Sequence, residues 1–395
     1  MRAEAPPFST LILKLTAFCN LNCSYCYMFN LADRTYDRVP RCCETETAKT
    51  AVELLAEHAR RAGRSAINVV LHGGEPLLWP ADRFAALFES IGKIRSSGLA
   101  VSVSLQTNGL VVPAALLTLL AEHDVTLGFS LDGPEAVNDQ ARVGDDGKGS
   151  YRRVLDSMRQ TLDRGFPPSR IGVLSVVNPA MRPIEYFEWA IELPVRNLSL
   201  LWPIEFSWDS PPWDPGEEQL YRQRPRYGVW MAAAFREWWD RWPEQIHVRQ
   251  FLYTVGRLIG QAHHSDSIGN DFVDMFVVNT DGGIEYPDYL RAHRDGGSRT
   301  PYSVHRDDLD DLRANDPTFR TLLRLRESIP AECRGCQNED VCGGGFLAGR
   351  VTHGGFAPET RSVLCHDQMY YFNVVRSAIQ PYLAAMEEVE AGGRQ

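Results

Sequence analysis

The chain has 395 residues, of which 44% are hydrophobic and 23% are charged, and these are ordinary values for a globular protein. This composition excludes a largely disordered, collagen-like or fibrous chain, and the length predicts two or three domains. The formal net charge of −10 argues against nucleic acid as the main partner, because phosphate binding needs a basic surface. No apolar run reaches the roughly 20 residues that a membrane helix needs, and the first apolar stretch is short and carries Lys14. We therefore expect a soluble, cytoplasmic protein with no membrane partner.

The first half of the chain alternates between short apolar stretches and helical patterns, such as those at 45–62 and 151–164. The predicted strands lie at 11–16, 67–71, 101–105, 125–131, 171–177 and 198–202. Strands that alternate with helices indicate parallel βαβ units, and six of them in about 200 residues predict an α/β fold with a partial (β/α)6 barrel. Polar motifs follow several of these strands. Because the carboxyl ends of parallel strands share one edge, we expect the motifs to meet there.

The composition changes after the sixth strand. Seven of the nine tryptophans lie between residues 202 and 242, and a helix is predicted from 227 to 242. We therefore divide the chain into a core at 1–205, a Trp-rich helical linker at 206–270 and a third region at 271–395. Two interpretations of the tryptophans remain open: a packing layer between domains, or a wall that grips an extended peptide.

Three of the nine cysteines, Cys19, Cys23 and Cys26, stand directly after the first strand with the spacing C-x3-C-x2-C. Three thiolates on one short loop can hold three irons of a [4Fe–4S] cube. The fourth iron would have no protein ligand, and an open coordination position is typical of a reactive metal centre rather than a structural one. A zinc knuckle is the alternative for these cysteines.

This motif resembles that of the radical S-adenosylmethionine (SAM) superfamily, and the resemblance covers residues 9–205. It implies that the open iron chelates SAM, which is cleaved to methionine and a 5′-deoxyadenosyl radical that abstracts a substrate hydrogen. Gly73-Gly74-Glu75-Pro76 resembles the family's GGEP loop, which accepts the SAM amino group. Further positions match the family's SAM contacts: Tyr25 near the adenine, Ser130 and Arg142 toward the ribose and carboxylate, and, more weakly, Gln106 and Asn108. A surface salt bridge is the other interpretation of Arg142.

A second group of cysteines lies near the C-terminus, at Cys333, Cys336, Cys342 and Cys365. Four thiolates suit a fully ligated [4Fe–4S] cluster, although they also suit tetrahedral zinc. Beside a radical SAM core, the region resembles the SPASM extension of peptide-modifying enzymes, a SPASM/twitch-like α+β cluster-binding domain. The run Gly343-Gly344-Gly345 is expected to bring backbone amides close to this cluster.

The SPASM pattern has seven cysteines and two auxiliary clusters, and this chain lacks three of the seven. Asp288 stands where the hairpin cysteine is expected, and Phe346 follows Cys342 where another is expected. The missing thiolates would all serve the same auxiliary cluster, so we predict two [4Fe–4S] clusters, one that binds SAM and one auxiliary. Asp288 is then a general base, a substrate anchor or a plain hairpin carboxylate. Cys42 and Cys43 have no partners at ligand spacing and are interpreted as structural or incidental.

The chain resembles most the SPASM maturases that form carbon–carbon cross-links, or cyclophanes, in ribosomal peptides. It shares with them the C-x2-C-x5-C-G-G-G stretch, the hairpin that ends in Asp288, and Cys-Tyr-Met-Phe-Asn after the first cluster. The resemblance implies that a side-chain hydrogen is abstracted, that the carbon attacks an aromatic ring, and that an electron and a proton leave. The auxiliary cluster could accept the electron, and Asp288 or another carboxylate the proton. The expected partners are a ribosomal precursor peptide and a one-electron reductant of the flavodoxin or ferredoxin type.

Other functions remain open. Anaerobic sulfatase maturases oxidise a serine or cysteine to formylglycine, but they usually keep both auxiliary clusters. Thioether formation, epimerisation and oxidation or rearrangement of a small molecule are further options. A non-catalytic electron carrier or a zinc-stabilised binding module would need neither the GGEP loop nor an open iron. The first strand begins near residue 11, so we expect a leader peptide to bind on the barrel rim, in the 205–260 segment or through another protein.

Overall fold

The computed structural model describes residues 5–261, 265, 267–268 and 271–392. The strands, in chain order, are β1 (Thr10–Thr16), β2 (Ala66–Gly73), β3 (Ala100–Thr107), β4 (Thr126–Ser130), β5 (Ile171–Val176), β6 (Asn197–Leu201), β7 (His247–Val248), β8 (Met275–Val278), β9 (Gly283–Glu285), β10 (Arg299–Ser303), β11 (Val351–Thr352) and β12 (Gly355–Phe356). The helices are α1 (Thr45–Arg61), α2 (Ala81–Ser96), α3 (Ala114–Glu122), α4 (Glu135–Ala141), α5 (Tyr151–Asp163), α6 (Pro183–Glu192), α7 (Glu218–Gln223), α8 (Arg226–Arg241), α9 (Arg249–Leu258), α10 (Leu309–Asn315), α11 (Pro317–Leu322), α12 (Glu339–Cys342) and α13 (Cys365–Gly392).

The chain divides into two compact units, and each is built from two separate stretches of sequence. The first unit comprises Met1–Ser175 and Phe272–Arg324, and the second comprises Val176–Asp271 and Leu325–Gln395. The sequence analysis expects three consecutive regions with boundaries at residues 205 and 270, whereas each observed unit combines two separate stretches of the chain. The hairpin that was grouped with the cysteine-rich C-terminal region instead lies with the N-terminal strands.

The first unit is an α/β layer structure. Its strands lie in the order β10-β9-β8-β1-β2-β3-β4-β5, and β1 to β5 run parallel, with helices between them. Helix α1 buries a stripe at helical spacing that includes Ala48, Val52 and Leu55, and it contacts β1 and β2. The predicted α/β class with a parallel sheet is therefore confirmed. Each of the first five predicted strands corresponds to an observed one.

Strand β8 joins the first unit because it pairs in parallel with β1. The register runs from Thr10 opposite Met275 to Leu13 opposite Val278. Strand β9 then returns antiparallel to β8, so the hairpin predicted from the Thr280–Gly283 turn is present. This pairing brings the end of the hairpin, with Asp288, to the strand that precedes the first cysteine cluster.

The second unit is largely helical. Helix α8 packs on α13 and α6, and α9 packs on α13 and α12. Its aromatic core includes Phe235, Trp238 and Phe251, which are buried, and Trp238 donates its indole N–H to the carbonyl of Ile246 at 2.6 Å. Trp230 is likewise buried and donates to the carbonyl of Met181. Trp230 and Trp238 are therefore packing residues inside the second unit, whereas the first interpretation placed such a packing layer between domains.

Asp367 ties α13 to the first turn of α8 inside the second unit. Its Oδ1 atom accepts hydrogen bonds from the backbone N–H groups of Tyr227 and Gly228, at 2.9 and 2.8 Å. Pro225 precedes α8 and has no capping side chain, so Asp367 caps this helix from a distant part of the sequence. Burial raises the pKa of Asp367 to about 6.

Along the described chain, no helix is both long enough and apolar enough to span a bilayer.

Candidate active site

The loop after β1 carries Cys19, Cys23 and Cys26. A tight turn brings the backbone N–H of Cys26 to the carbonyl of Cys23 at 3.0 Å, and that of Asn30 to the carbonyl of Cys26 at 2.8 Å. Burial raises the pKa of Cys19 to about 11, and it raises the pKa of Cys23 and Cys26 as well. For each thiol, another of the three adds to the rise. Three thiols thus lie near one another in a poorly hydrated loop, where a bound metal would stabilise their thiolate forms.

The loop after β2, with Gly73, Gly74 and Glu75, packs directly on the loop of the cysteines. A Cβ on Gly73 would lie 2.5 Å from the carbonyl oxygen of Thr16, and one on Gly74 would lie 2.0 Å from that of Phe18. The N–H groups of Gly74 and Glu75 donate to these two oxygens, each at 2.9 Å. Glycine is therefore needed at both positions because the two backbone segments approach too closely to leave room for a Cβ atom.

Glu75 is 2% exposed, and its carboxylate is engaged with the loop after β3. Oε1 accepts from the Thr107 hydroxyl at 2.7 Å and from the Leu77 N–H at 2.9 Å, and Oε2 accepts from the Asn108 N–H at 2.7 Å. Burial raises the pKa of Glu75 to about 7, against the opposite effect of these hydrogen bonds. Glu75 thus braces two strand ends against each other.

Tyr25 lies between Asp132 and Arg142. Its hydroxyl donates to the Asp132 carboxylate and accepts from Arg142 Nη1 at 2.9 Å. Backbone bonds from Asn22 to Val143 and from Ser24 to Ala141 fix the Arg142 segment against the cysteine loop. Arg142 is 6% exposed and is not on the surface, so the surface salt bridge considered for it is excluded; its Nε has no hydrogen-bond acceptor among the described residues.

Ser130 and Gln106 contact each other at the ends of β4 and β3. Gln106 Nε2 donates to Ser130 Oγ at 2.8 Å, and Ser130 Oγ donates to the Thr107 carbonyl at 3.2 Å. A Cβ on Gly128 would lie 2.1 Å from Gln106 Oε1, so Gly128 leaves the space that Gln106 fills. The strand-end motifs expected to meet at one edge are thus in contact in the structure.

Asp288 lies in a buried group of charged and polar side chains. Its Oδ2 atom forms a salt bridge with Lys14 and accepts from the Tyr27 hydroxyl at 3.2 Å, while its Oδ1 atom lies 3.2 Å from Arg291 Nε. Lys14 also donates to Tyr27 at 3.2 Å and lies 3.2 Å from Nδ1 of His72, its register partner on β2. We call Lys14, Tyr27, His72, Asp288 and Arg291 the Lys14–Asp288 network.

The electrostatics of the network follow from burial and charge. Burial raises the pKa of Asp288, but the cations of Lys14 and Arg291 outweigh it and hold this pKa below its usual range. Burial lowers the pKa of Lys14, and Asp288 restores it only in part. Burial and the neighbouring Lys14 lower the pKa of His72 to about 3. At neutral pH, therefore, Asp288 is ionised and His72 is neutral.

The second unit holds the four cysteines of the C-terminal group. The backbone N–H of Cys336 donates to the carbonyl of Cys333 at 3.1 Å, and Cys365 begins α13. Burial raises the pKa of Cys333 to about 11, and it raises the pKa of Cys342 and Cys365. Other thiols of the four contribute to each rise. These cysteines therefore neighbour one another although 32 residues separate the first from the last.

The glycine run after Cys342 has backbone angles that favour glycine. Gly343, Gly344 and Gly345 have φ of +63°, +100° and +89°. A hydrogen bond from the Gly344 backbone to Cys342 opposes the effect of burial on the pKa of that thiol. The Gly344 amide therefore approaches the Cys342 sulfur. Phe346, at the position of a missing cysteine, is buried.

Residues 13–186 match the family model described as the Radical SAM superfamily. The chain carries a radical SAM domain. It is 25% identical to the serine-type anaerobic sulfatase-maturating enzyme of Klebsiella aerogenes, over 98% of this chain and 89% of that one. It is 21% identical to the cysteine-type enzyme of Clostridium perfringens (strain 13 / Type A), over 86% and 89%. These matches indicate an enzyme.

Two solved structures share the fold of this chain. Native anSMEcpe with bound AdoMet and Cp18Cys peptide has a TM-score of 0.77 at 19% identity, covering 96% of this chain and 100% of that one. Streptococcus suis SuiB bound to S-adenosylmethionine has a TM-score of 0.58 at 14% identity, covering 91% and 76%. A radical SAM domain implies a [4Fe–4S] cluster and SAM.

The residues of the radical SAM domain fit these groups. Cys19, Cys23 and Cys26 would supply the thiolates for three irons, and Asn108 Nδ2 donates an N–H to Cys19 Sγ at 3.3 Å. The buried Nε–H of Arg142 can donate a hydrogen bond to a carboxylate. Within the described ranges, no three His, Cys, Asp or Glu side chains are close enough together to hold one metal ion. A [4Fe–4S] cube does not need such a group, because each of its cysteines binds a different iron.

Sequence reasoning missed most of the Lys14–Asp288 network. Lys14 was considered only because it interrupts an apolar stretch, yet a lysine between Leu13 and Leu15 in a buried strand is itself a signal of a buried ion pair. Arg291 stands three residues after Asp288, a spacing that allows the observed contact. Cys43, which the sequence assigned no ligand role, is buried, and its carbonyl accepts from Trp79 Nε1 at 2.8 Å.

Proposed function

We propose that this radical SAM enzyme oxidises a peptide side chain and joins it to an aromatic residue through a carbon–carbon bond. The observation that carries the proposal is the Lys14–Asp288 network. Where the SPASM pattern has a hairpin thiolate, this chain has a carboxylate that forms buried contacts with Lys14, Tyr27 and Arg291. Because a carboxylate replaces this thiolate, we propose one auxiliary cluster, held in the second unit. The hairpin that ends in Asp288 also resembles the aspartate-ended hairpin of the cyclophane maturases.

The reaction removes two hydrogen atoms from the peptide. Cys19, Cys23 and Cys26 would hold the SAM-binding cluster, and the cluster with SAM would supply the radical chemistry that removes the first hydrogen atom. The second leaves as an electron and a proton when the new bond to the ring has formed and aromaticity returns. An auxiliary [4Fe–4S] cluster would be held by Cys333, Cys336, Cys342 and Cys365 and would supply an acceptor for this electron. A reductant of the flavodoxin or ferredoxin type would supply the initial electron.

Asp288 is the proposed proton acceptor. Its low pKa keeps it ionised at neutral pH, which a base requires, although the same low pKa makes it a weak base. A weak base suffices, because a ring that has lost an electron after bond formation releases its proton readily. Lys14 and Tyr27 hold the carboxylate in place from the strand and the loop that flank the first cluster.

Around this site, Arg142 would bind the SAM carboxylate, since its Nε is buried without an acceptor in the described chain. Tyr25, fixed by Asp132 and Arg142, would lie beside the adenine. Glu75 has its oxygens occupied by loop hydrogen bonds, so we assign the SAM amino group chiefly to backbone oxygens of the Gly73–Gly74 segment. Ser130 would act on the ribose.

Formylglycine formation is the second candidate. Its support is the likeness over nearly the full chain to serine-type and cysteine-type sulfatase-maturating enzymes. Both candidates remove hydrogen from a peptide, but they leave different products. A cross-link joins two residues and carries no aldehyde, whereas formylglycine is an aldehyde on a single residue.

The test is an anaerobic incubation of reconstituted protein with SAM, a reductant and short peptides encoded beside its gene, read by mass spectrometry. Loss of two hydrogens, located by fragmentation between an aromatic residue and a neighbour, supports cross-linking. An aldehyde at the position of one serine or cysteine, trapped by a hydrazine, would refute cross-linking and support formylglycine formation. Deoxyadenosine with unchanged peptides moves the assignment to epimerisation or to a small-molecule substrate.

The role of Asp288 is tested by Asp288→Asn, with Asp281→Asn as the matched control. Asp281 is a carboxylate of the same hairpin, paired with Arg299 at 2.9 Å and partly exposed. We expect Asp288→Asn to cleave SAM but to form product at less than about a hundredth of the wild-type rate, because a general base is worth about 10²–10⁴ in rate. Full product from Asp288→Asn would leave Asp288 a structural carboxylate.

A further inference from the structure

The side chain of Asn108, at the end of β3, is hydrogen-bonded to the cysteine loop. Its Nδ2 atom donates to Cys19 Sγ at 3.3 Å and to Asn20 Oδ1 at 2.7 Å. The residue is 7% exposed, so little water competes for these contacts. The backbone N–H of Leu21 lies 3.4 Å from the same sulfur, which therefore receives one donor from its own loop and one from another strand.

The orientation of the Asn108 amide is fixed by its other end. Oδ1 accepts from the backbone N–H of Leu110 at 2.9 Å, and a backbone N–H can only donate. If the amide were turned over, its NH₂ group would face the N–H of Leu110 and its oxygen would face Cys19 and Asn20 Oδ1. The hydrogen-bond pattern therefore requires a donor toward the sulfur.

The backbone of Asn108 is held as firmly as its side chain. Its N–H donates to Glu75 Oε2 at 2.7 Å, and the next residue, Gly109, donates to the Thr107 hydroxyl at 2.9 Å. Gly109 has φ of +71°, and a Cβ there would lie 2.6 Å from Phe129. The turn can thus be made only by glycine, and it carries the amide to one fixed position beside Cys19.

We propose that Asn108 is a positioning residue that raises the reduction potential of the SAM-binding cluster through its hydrogen bond to the Cys19 sulfur. Reduction adds a negative charge that is shared by the ligand sulfurs, so an N–H donor stabilises the reduced cluster more than the oxidised one. The proposal rests on the assignment of Cys19 as a cluster ligand.

Two substitutions separate the donor from the shape of the side chain. Asn108→Leu removes both polar atoms at similar size. Asn108→Asp keeps an oxygen for Leu110 but puts a second acceptor beside the sulfur. The matched control is Asn30→Leu, because Asn30 Nδ2 donates to the Cys23 carbonyl at 2.8 Å and so supports the same loop without touching a thiol.

The measurement is an anaerobic redox titration of the reconstituted full chain, followed by electron paramagnetic resonance, with iron and sulfide determined for each variant. The signal of the SAM-binding cluster is the one that SAM alters and that Cys19→Ala removes. We expect a more negative midpoint potential for Asn108→Leu, a still more negative one for Asn108→Asp, and the wild-type value for Asn30→Leu.

Each other outcome has a definite meaning. Wild-type potentials in both Asn108 variants at full iron content would overturn the tuning role and leave the cluster assignment intact. Loss of the cluster from both Asn108 variants but not from Asn30→Leu would show that Asn108 is needed to keep the cluster bound, and would overturn its role in setting the reduction potential. A SAM-responsive signal that persists in Cys19→Ala would overturn the ligand assignment itself.

Discussion

Replacing Lys14 with methionine should destabilise the first unit, because it breaks a buried salt bridge while leaving its anion in place. The Lys14 side chain is fully buried, and that of Asp288 is 11% exposed. Removing one partner of a buried pair costs about 3–5 kcal/mol, since the remaining charge stays in a medium of low dielectric constant. Asp288 keeps Arg291 at 3.2 Å, so we expect the lower end, about 3 kcal/mol.

The expected shift in melting temperature follows from the size of the unit. A unit of about 230 residues loses roughly 2–4 °C for each kcal/mol, so Lys14→Met should melt about 6–12 °C below the wild type. Circular dichroism measures the shift. Faster hydrogen exchange in peptides from β1 and β8 should show that the first unit is affected, because these strands pair beside the salt bridge.

A double-mutant cycle tests the reasoning more sharply. Lys14→Met with Asp288→Leu removes both charges, so it should cost less than the sum of the two single substitutions. Lys49→Met is the control, since Lys49 pairs with the exposed Glu46, and we expect no measurable change from it. A Lys14→Met protein that melts within 2 °C of the wild type, or strictly additive effects, would refute the buried-pair argument.

Three further predictions concern the clusters and the Glu75 brace. Cys19→Ala should abolish deoxyadenosine formation while the iron of the second unit remains, and deoxyadenosine from this variant would refute the cluster assignment. Cys336→Ala should lose the auxiliary cluster and lower the melting temperature, because metal binding is coupled to folding; a stable, fully active variant would contradict both roles. Glu75, whose pKa burial raises from 4.5 to about 7, holds a proton in the folded chain that the unfolded chain releases between these values. Its contribution to stability therefore falls as the pH rises through this window, and Glu75→Gln should flatten the dependence of melting temperature on pH between 5.5 and 7.5. Parallel curves for the two proteins would contradict that pKa.

Local patterns predicted what depends on local sequence. The apolar stretches before Cys19, Glu75 and Asn108 are strands because their side chains alternate or are buried, and their parallel order puts the following loops at one edge. The hairpin at 276–290 was also predicted, from its turn residues. Its partner was not, because the pairing of Leu13 with Val278 joins strands more than 260 residues apart and has no local signature. The salt bridge between Lys14 and Asp288 depends on that pairing, so it was out of reach as well.

The cysteine loop is held from three directions by residues that belong to different strand ends. Asn108, after β3, donates to Cys19 near the start of the loop. Asp132, after β4, accepts from Tyr25, and Asp288, after the hairpin, accepts from Tyr27, so the two neighbours of Cys26 are both anchored. A loop fixed by one of these contacts could pivot about it, but three contacts along nine residues leave no such freedom. Contacts from three strand ends thus restrict the conformations of the cysteine loop, and each contact lowers the entropy that must be lost to hold the thiols in place.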